Sequence, residues 1–309
     1  MVISRIISCL KAALPKALKT AWWMIRIMLP VSLGVMLMQY FGLLFYISKY
    51  LTPVFHHIGL PGESALVFIT SALLSIYAAI AVIGTLALDM REITILAIMC
   101  LISHNMIFET AVQKKTGSSA LRMVLLRLIM SFVAAAIFNF FLPSKLGAGL
   151  ASHNNIQNSG IVNLFEIWLR GSVWLSIKVV LIVTSLMFVQ KILDEFGIME
   201  VLSKAFKPLK KPMGLPDRTS FQWIIANTVG LAYGSAIMIE QVDSGNLPIE
   251  DANLLNHHIA ISHSLLEDTL LFVAIGVSAP WIIFPRIALA MVSVWEYKFE
   301  KRIKRKCAN

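Results

Sequence analysis

The chain has 309 residues, 58% of them hydrophobic and 14% charged, with a mean hydropathy of +0.76. A water-soluble protein of that size cannot cover so much apolar surface with so few charges, so lipid must be the solvent for much of it. The net charge of +10 then reads as basic loops facing anionic headgroups, not as nucleic-acid binding, and three cysteines (Cys9, Cys100, Cys307) without paired spacing imply no disulfide framework.

The opening residues, MVISRIISCLKAALPKALKT, lack the uninterrupted apolar core and cleavage site of a signal peptide. Ile3, Ile6, Ile7, Leu10 and Leu14 recur at helical spacing opposite Arg5 and Lys11, which predicts an amphipathic helix over 1–18 lying in the membrane interface. Apolar runs follow at 20–42, 64–88, 92–113 and 119–143, near the ~20 residues a helix needs to cross the hydrocarbon core. The third of these carries His104, Asn105 and Glu109 within ISHNMIFET, and the fourth carries Arg127. A polar stretch, SKLGAGLASHNNIQNSG, opens a linker placed at 144–169 on the external side. Four more apolar runs come after it, at 172–190, 219–241, 252–276 and 279–297, then a basic tail over 298–309.

The two halves repeat. At an offset of 155, Gly42 falls on Gly197, Pro53 on Pro208, and Gly59-Leu60-Pro61 on Gly214-Leu215-Pro216. Four extra residues later the offset is 159, and ISHNMIFET (102–110) falls on ISHSLLEDT (261–269), Gly117 on Gly276, and Arg127 on Arg286. This predicts one repeat over 19–143 and a second over 170–297.

Charge decides how the repeats are oriented. If 64–88 and 219–241 are re-entrant or broken hairpins, each half has about three transmembrane helices and the second half is inverted. The N-terminal arm, Lys114-Lys115 with Arg122, the 191–218 loop and the KFEKRIKRK tail then all lie in the cytoplasm, as basic loops should. The expected fold is an all-α integral membrane protein of two inverted repeats, with both termini on the cytoplasmic side of a bacterial inner membrane. Interrupted helices at membrane depth line cavities, a plan used by many secondary transporters.

The GLP entry, the small-residue hairpin NTVGLAYGSA (227–236) and the SHSLLEDT pattern resemble the Gate, or nucleoside-recognition, domain family. That family includes spore maturation proteins, and related repeats occur in ferrous iron transporter B and concentrative nucleoside transporters. The resemblance implies a transporter-like bundle with paired gates. No GxxxxGK[ST] sequence matches the GTPase domain of the iron transporter, and the chain is short for a concentrative nucleoside transporter, so neither activity is carried over.

His104 and His263 lie near the middle of their segments, where polar groups need partners or a cavity. Glu109 and Asp268 each follow a histidine by five residues, and Glu267 follows His263 by four, on one face of a continuous helix. With Asn105 and Ser264 beside the histidines, and Ser75, Asn227, Tyr233 and Ser235 at the hairpin tips, these residues make the expected substrate- or ion-binding set. His104, His263 and Glu267 are the expected metal ligands, since imidazole and carboxylate suit zinc, iron or manganese.

The expected function is alternating-access transport of a small polar or anionic solute, nucleoside-like included, coupled to a proton or sodium ion; histidine titrates near neutral pH. A divalent-metal permease and a non-transporting Gate assembly protein stay open as alternatives, as does a homo-oligomer. No enzyme motif stands in a suitable context, so no catalytic residue is expected.

Overall fold

The computed structural model describes residues 2–144, 146, 147, 160–206, 208, 210–228 and 230–308. Most of the polar linker falls outside them, as do the side chains of Tyr233 and Ser235. Among the described residues there is helix and turn but no strand. The first half runs α1 (Val2–Tyr40), α2 (Leu43–His56), α3 (Ser64–Leu73), α4 (Ile76–Ile83), α5 (Met90–Ser103), α6 (Met106–Lys115) and α7 (Ala120–Phe141). The second runs α8 (Ile161–Glu195), α9 (Ile198–Ala205), α10 (Lys210–Met213), α11 (Ser220–Thr228), α12 (Leu231–Asp243), α13 (Ile249–Ser262), α14 (Glu267–Val273) and α15 (Ala279–Ala308). The bounds of α5 recur in α13 at the same offset of 159 that separates His104 from His263.

Among the described residues, five stretches are long and apolar enough to cross a membrane: Ser4–Met38, Met90–Lys115, Ala120–Phe141, Ile161–Leu193 and Ala279–Lys306. The counterpart of Met90–Lys115 in the second half is α13 with α14, where three histidines and four acids dilute the apolar run. Large apolar side chains face outward, such as Phe140 at 82% exposure and Val162 at 79%. So dense an apolar exterior suits hydrocarbon and would aggregate in water.

Two boundaries differ from expectation. The stretch expected as a separate interfacial helix forms none: from Val2 it continues without interruption into the first apolar run as α1. Nothing before Gly42, which turns the chain with a φ of 70°, breaks the helix strongly enough to separate the two. Likewise α8 begins at Ile161, inside the stretch assigned to the linker, because the helical apolar pattern already resumes there and Leu164 is buried.

Helices α1 and α8 pack on each other and run antiparallel. Arg5 near the start of α1 pairs with Glu195 at the end of α8 at 2.8 Å, and the Trp168 indole near the start of α8 donates to Ser32 Oγ at 3.1 Å toward the end of α1. At 1.5 Å per residue both helices extend roughly 50–60 Å, well beyond the ~30 Å hydrocarbon core.

The segments 64–88 and 219–241 both double back. Helices α3 and α4 pack against each other across a turn in which Ser75 Oγ accepts from Ala78 N–H at 3.3 Å, capping α4. In the second hairpin Gly234 of α12 lies against α11, so close that an added Cβ would stand 3.2 Å from Ile225 Cγ2 and 3.5 Å from Ala226 Cα. Helix α5 is enclosed by both halves: Ile95 through Ile102 have no exposed surface. A helix apolar on every face suits lipid or a protein interior, and α5 occupies the interior.

Gly234→Val should therefore force α11 and α12 apart and lower the thermal midpoint in detergent by the equivalent of about 1–3 kcal/mol. Gly34→Ala, where nothing lies within 4 Å, should leave it unchanged. Equal midpoints for the two variants would refute the close hairpin.

Candidate functional site

The site is built on two broken helices. Helix α5 ends at His104, Asn105 takes a left-handed conformation (φ 47°, ψ 39°), and α6 restarts at Met106. In the second half α13 ends at His263, Ser264 is left-handed (φ 52°), and α14 restarts at Glu267. Asparagine tolerates this region; serine holds it at a cost of about 1–3 kcal/mol, which surrounding contacts must offset.

Each break strands backbone groups where water is scarce, and side chains and hairpins satisfy them. Arg127 donates from Nε to Ile102 O at 2.7 Å and from Nη2 to His104 O at 2.5 Å. Arg286 repeats this, donating to Ile261 O at 3.0 Å and to His263 O. Beyond the breaks, Asn105 N–H donates to Ser71 O at 2.9 Å on α3, and Ser264 N–H to Ala226 O at 2.8 Å on α11. The amide of Leu266 donates to Asn227 O at 3.1 Å. Each hairpin is thus joined by its backbone to the broken helix of its own half.

The two breaks meet face to face. His104 Nε2 and His263 Nε2 are 3.2 Å apart, and the ring centroids are 4.8 Å apart. Each Nδ1 lies against the carbonyl four residues back, Cys100 O at 3.1 Å and Ile259 O at 2.7 Å. A carbonyl only accepts, so both Nδ1 atoms carry hydrogen and both Nε2 atoms point into the shared space.

Carboxylates surround that pair. Glu109 Oε1 is 3.2 Å from His104 Nε2, Glu109 Oε2 is 3.1 Å from His263 Nε2, and Asp268 Oδ2 is 3.2 Å from His104 Nε2. Arg127 Nη2 pairs with Glu109 Oε2 at 2.8 Å. All six of these side chains are buried, the two arginines without exposed surface. Buried charges of one sign would cost several kcal/mol each; here the acids and guanidinium groups offset one another.

The expected site residues divide as follows. The structure brings together His104, His263, Glu109 and Asp268, with Asn105 and Ser264 supplying the turns. Glu267 departs from the expected metal set: its Oε1 accepts from the Tyr77 hydroxyl of α4 at 2.7 Å, and its Oε2 lies close to Gly230 at the second hairpin tip. The i, i+4 argument assumed one continuous helix, and the break at Ser264 turns Asp268 toward the histidines instead. Asn227 is buried by the second tip and donates to Trp223 O at 2.8 Å. Ser75 serves as the cap of α4.

Other polar groups are structural. His257 accepts from Arg122 Nε at 2.9 Å and stacks on Tyr297, while the Trp223 indole donates to His258 Nδ1 at 3.1 Å. Trp223 is buried. Lys178, awkward inside its span, donates to Ala274 O at 3.0 Å where α14 ends. Sequence reasoning missed the contact of Tyr77 with Glu267 and the closure of both helix ends by arginine. The twinned arginines, at equal distances from the twinned histidines, were the signal for the second.

A curated protein of Bacillus subtilis (strain 168), "Uncharacterized membrane protein YvoD", is 27% identical over 285 residues, covering 91% of each chain. The present chain is a membrane protein. No family model and no solved structure matches it. As the similarity to the Bacillus membrane protein spans almost the whole chain, it includes both broken helices and both hairpins.

In this membrane protein Arg286→Ala should leave two carbonyls without their donor and take a positive charge from the buried cluster, lowering stability in detergent by about 3–5 kcal/mol. Arg286→Lys should restore little of it, because an ammonium does not reproduce the planar fork. The exposed Arg218–Asp251 pair is the control: Arg218→Ala should cost at most about 1 kcal/mol. Matching losses at the two arginines would contradict the closure.

Proposed function

We propose that the chain is a secondary-transporter-like protein that carries a small solute across the bacterial cytoplasmic membrane by alternating access. The site is the His104–His263 cluster, and the hairpins α3–α4 and α11–α12 are its gates. The observation that carries this reading is the meeting of two broken helices at one buried, charged centre, each tied through a backbone hydrogen bond to a hairpin of its own half. Interrupted helices of this kind hold substrate and coupling ions at the interface of repeats. The antiparallel run of α1 and α8 supports an inverted relation between the halves. The resemblance to Gate repeats agrees with paired gates.

In this reading both termini face the cytoplasm, and the chain acts as a carrier, not as an enzyme. The hairpins are connected to the cluster by backbone contacts at Ser71 O, Ala226 O and Asn227 O and by the Tyr77–Glu267 hydrogen bond across the halves. Breaking one set while keeping the other opens the cluster toward one face. Tyr77 belongs to the first hairpin and Glu267 to the second broken helix, so opening either gate is felt by both halves.

The test uses single cysteines at Ser75 and Thr228 in a chain with Cys9, Cys100 and Cys307 replaced by alanine, labelled with a membrane-impermeant thiol reagent in right-side-out and inside-out vesicles. Alternating access requires both positions, taken together, to label from both faces, with the ratio shifting with pH or added solute. Protection from both faces under every condition would mean a sealed core, and would replace the transporter reading with that of an assembly protein.

A further inference from the structure

We infer that the ligand of this central site is a first-row divalent transition-metal ion, held by His104 Nε2, His263 Nε2, Asp268 Oδ2 and the Glu109 carboxylate. The inference rests on the reading of the cluster as the transport site and names the solute class. The argument begins with hydrogen atoms. Both Nδ1 atoms spend theirs on backbone carbonyls, so the two Nε2 atoms face each other at 3.2 Å, where a neutral ring presents a lone pair. Carboxylate oxygens of Glu109 and Asp268 add further lone pairs at 3.1–3.2 Å.

One proton does not resolve this. Placed on His104 Nε2, it points along a single direction in the ring plane and serves one of three acceptors, namely His263 Nε2, Glu109 Oε1 or Asp268 Oδ2. The other contacts of His104 are then held by charge alone, and the lone pairs of His263 Nε2 and Glu109 Oε2 still face each other at 3.1 Å. Asp268 Oδ2 and Glu109 Oε2 are buried and receive no well-directed hydrogen bond, although Arg127 lies beside the latter as an ion pair. A cation among the four groups converts every one of these contacts into an attraction.

The spacing selects the kind of cation. Ligand atoms around a tetrahedral ion at about 2.0 Å stand about 3.3 Å apart. Four separations within the cluster, from 3.1 to 3.2 Å, are close to that figure, the Glu109 carboxylate reaching the two histidines with different oxygens. The ligand atoms of His104, His263 and Asp268 all lie within 4.8 Å of one another, near enough for small side-chain shifts to bring them onto one ion. Hard ions such as magnesium and calcium take six or more oxygens at octahedral or larger shells, whereas two imidazoles with carboxylate suit zinc, iron(II), cobalt or manganese.

The groups around the ligands fit a site that releases its ion. Each imidazole is aligned by a carbonyl bond at Nδ1, the usual support for a metal-bound histidine. Two buried arginines lie beside a donor set of only two negative charges, which limits affinity and suits a cargo more than a permanent structural ion. Ser264 and Asn105, left-handed at the breaks, place the paired ligands at helix ends, where a small change of backbone separates them.

The chain, purified in detergent and stripped with a chelator, would be titrated with Zn2+ and Co2+. Bound metal would be measured after gel filtration and the Co2+ complex examined by visible absorption. We expect about one ion per chain and the intense absorption of tetrahedral Co2+. Affinity should fall at least about tenfold in Asp268→Asn and in Glu109→Gln, while His257→Gln, outside the cluster, binds as before. Stoichiometric binding with octahedral Co2+ absorption, or binding unaffected by both carboxylate variants, overturns the inference; so does a wild-type chain that retains no ion. That last result is independent of whether any variant folds. Loss of metal binding with cysteine labelling from both faces intact removes the metal and leaves the transporter; metal binding in a chain labelled from neither face removes the transporter.

Discussion

Two guanidinium groups make this architecture admissible. A helix broken in the middle of a membrane leaves carbonyls and amides with no water to receive them, at a cost of several kcal/mol for each. Arg127 and Arg286 each cover two of those carbonyls from a neighbouring helix, and the hairpins take up the amides on the far side of the break. Everything at the centre depends on this closure. It lets the histidines leave regular helix geometry, point at each other and gather two acids.

The same closure supplies the counter-charge. Arginines placed only for their hydrogen bonds would themselves be an expense inside lipid, and acids placed only for a ligand would be another. Set beside one another they moderate both, so a chain that is apolar over most of its surface tolerates at least six buried ionisable groups in one place. The remaining polar networks, around His257 and His258, hold α7, α11, α13 and α15 together by neutral and rim-exposed contacts. They have no comparable gathering of lone pairs.

The membrane class, the repeat and the central residues were legible in the chain. Glycine, proline, histidine and arginine recur in order at nearly constant offsets, and such residues mark turns and buried charge irrespective of how helices pack. The hairpin in the second half was legible from Gly230 and Gly234. The choice between Asp268 and Glu267 was not, because helical spacing assumes an unbroken helix and the left-handed Ser264 changes the register by a conformation few sequences announce. The extent of α1 was also hidden: an amphipathic segment and an apolar one differ in composition but not in backbone preference, so nothing at residue 18 stops the helix.

By itself the sequence determined the solvent of this protein, its two-fold repetition and the residue types at its centre, because these follow from hydropathy, from order along the chain and from the cost of burying charge. Only the tertiary structure decided which atoms meet. The separation of His104 Nε2 from His263 Nε2, the turn of Asp268 inward and of Glu267 toward Tyr77, and the reach of each arginine to two carbonyls depend on the crossing of helices distant in sequence. No local pattern encodes that crossing. It is set by how the long antiparallel pair, the hairpins and the enclosed α5 fill space together.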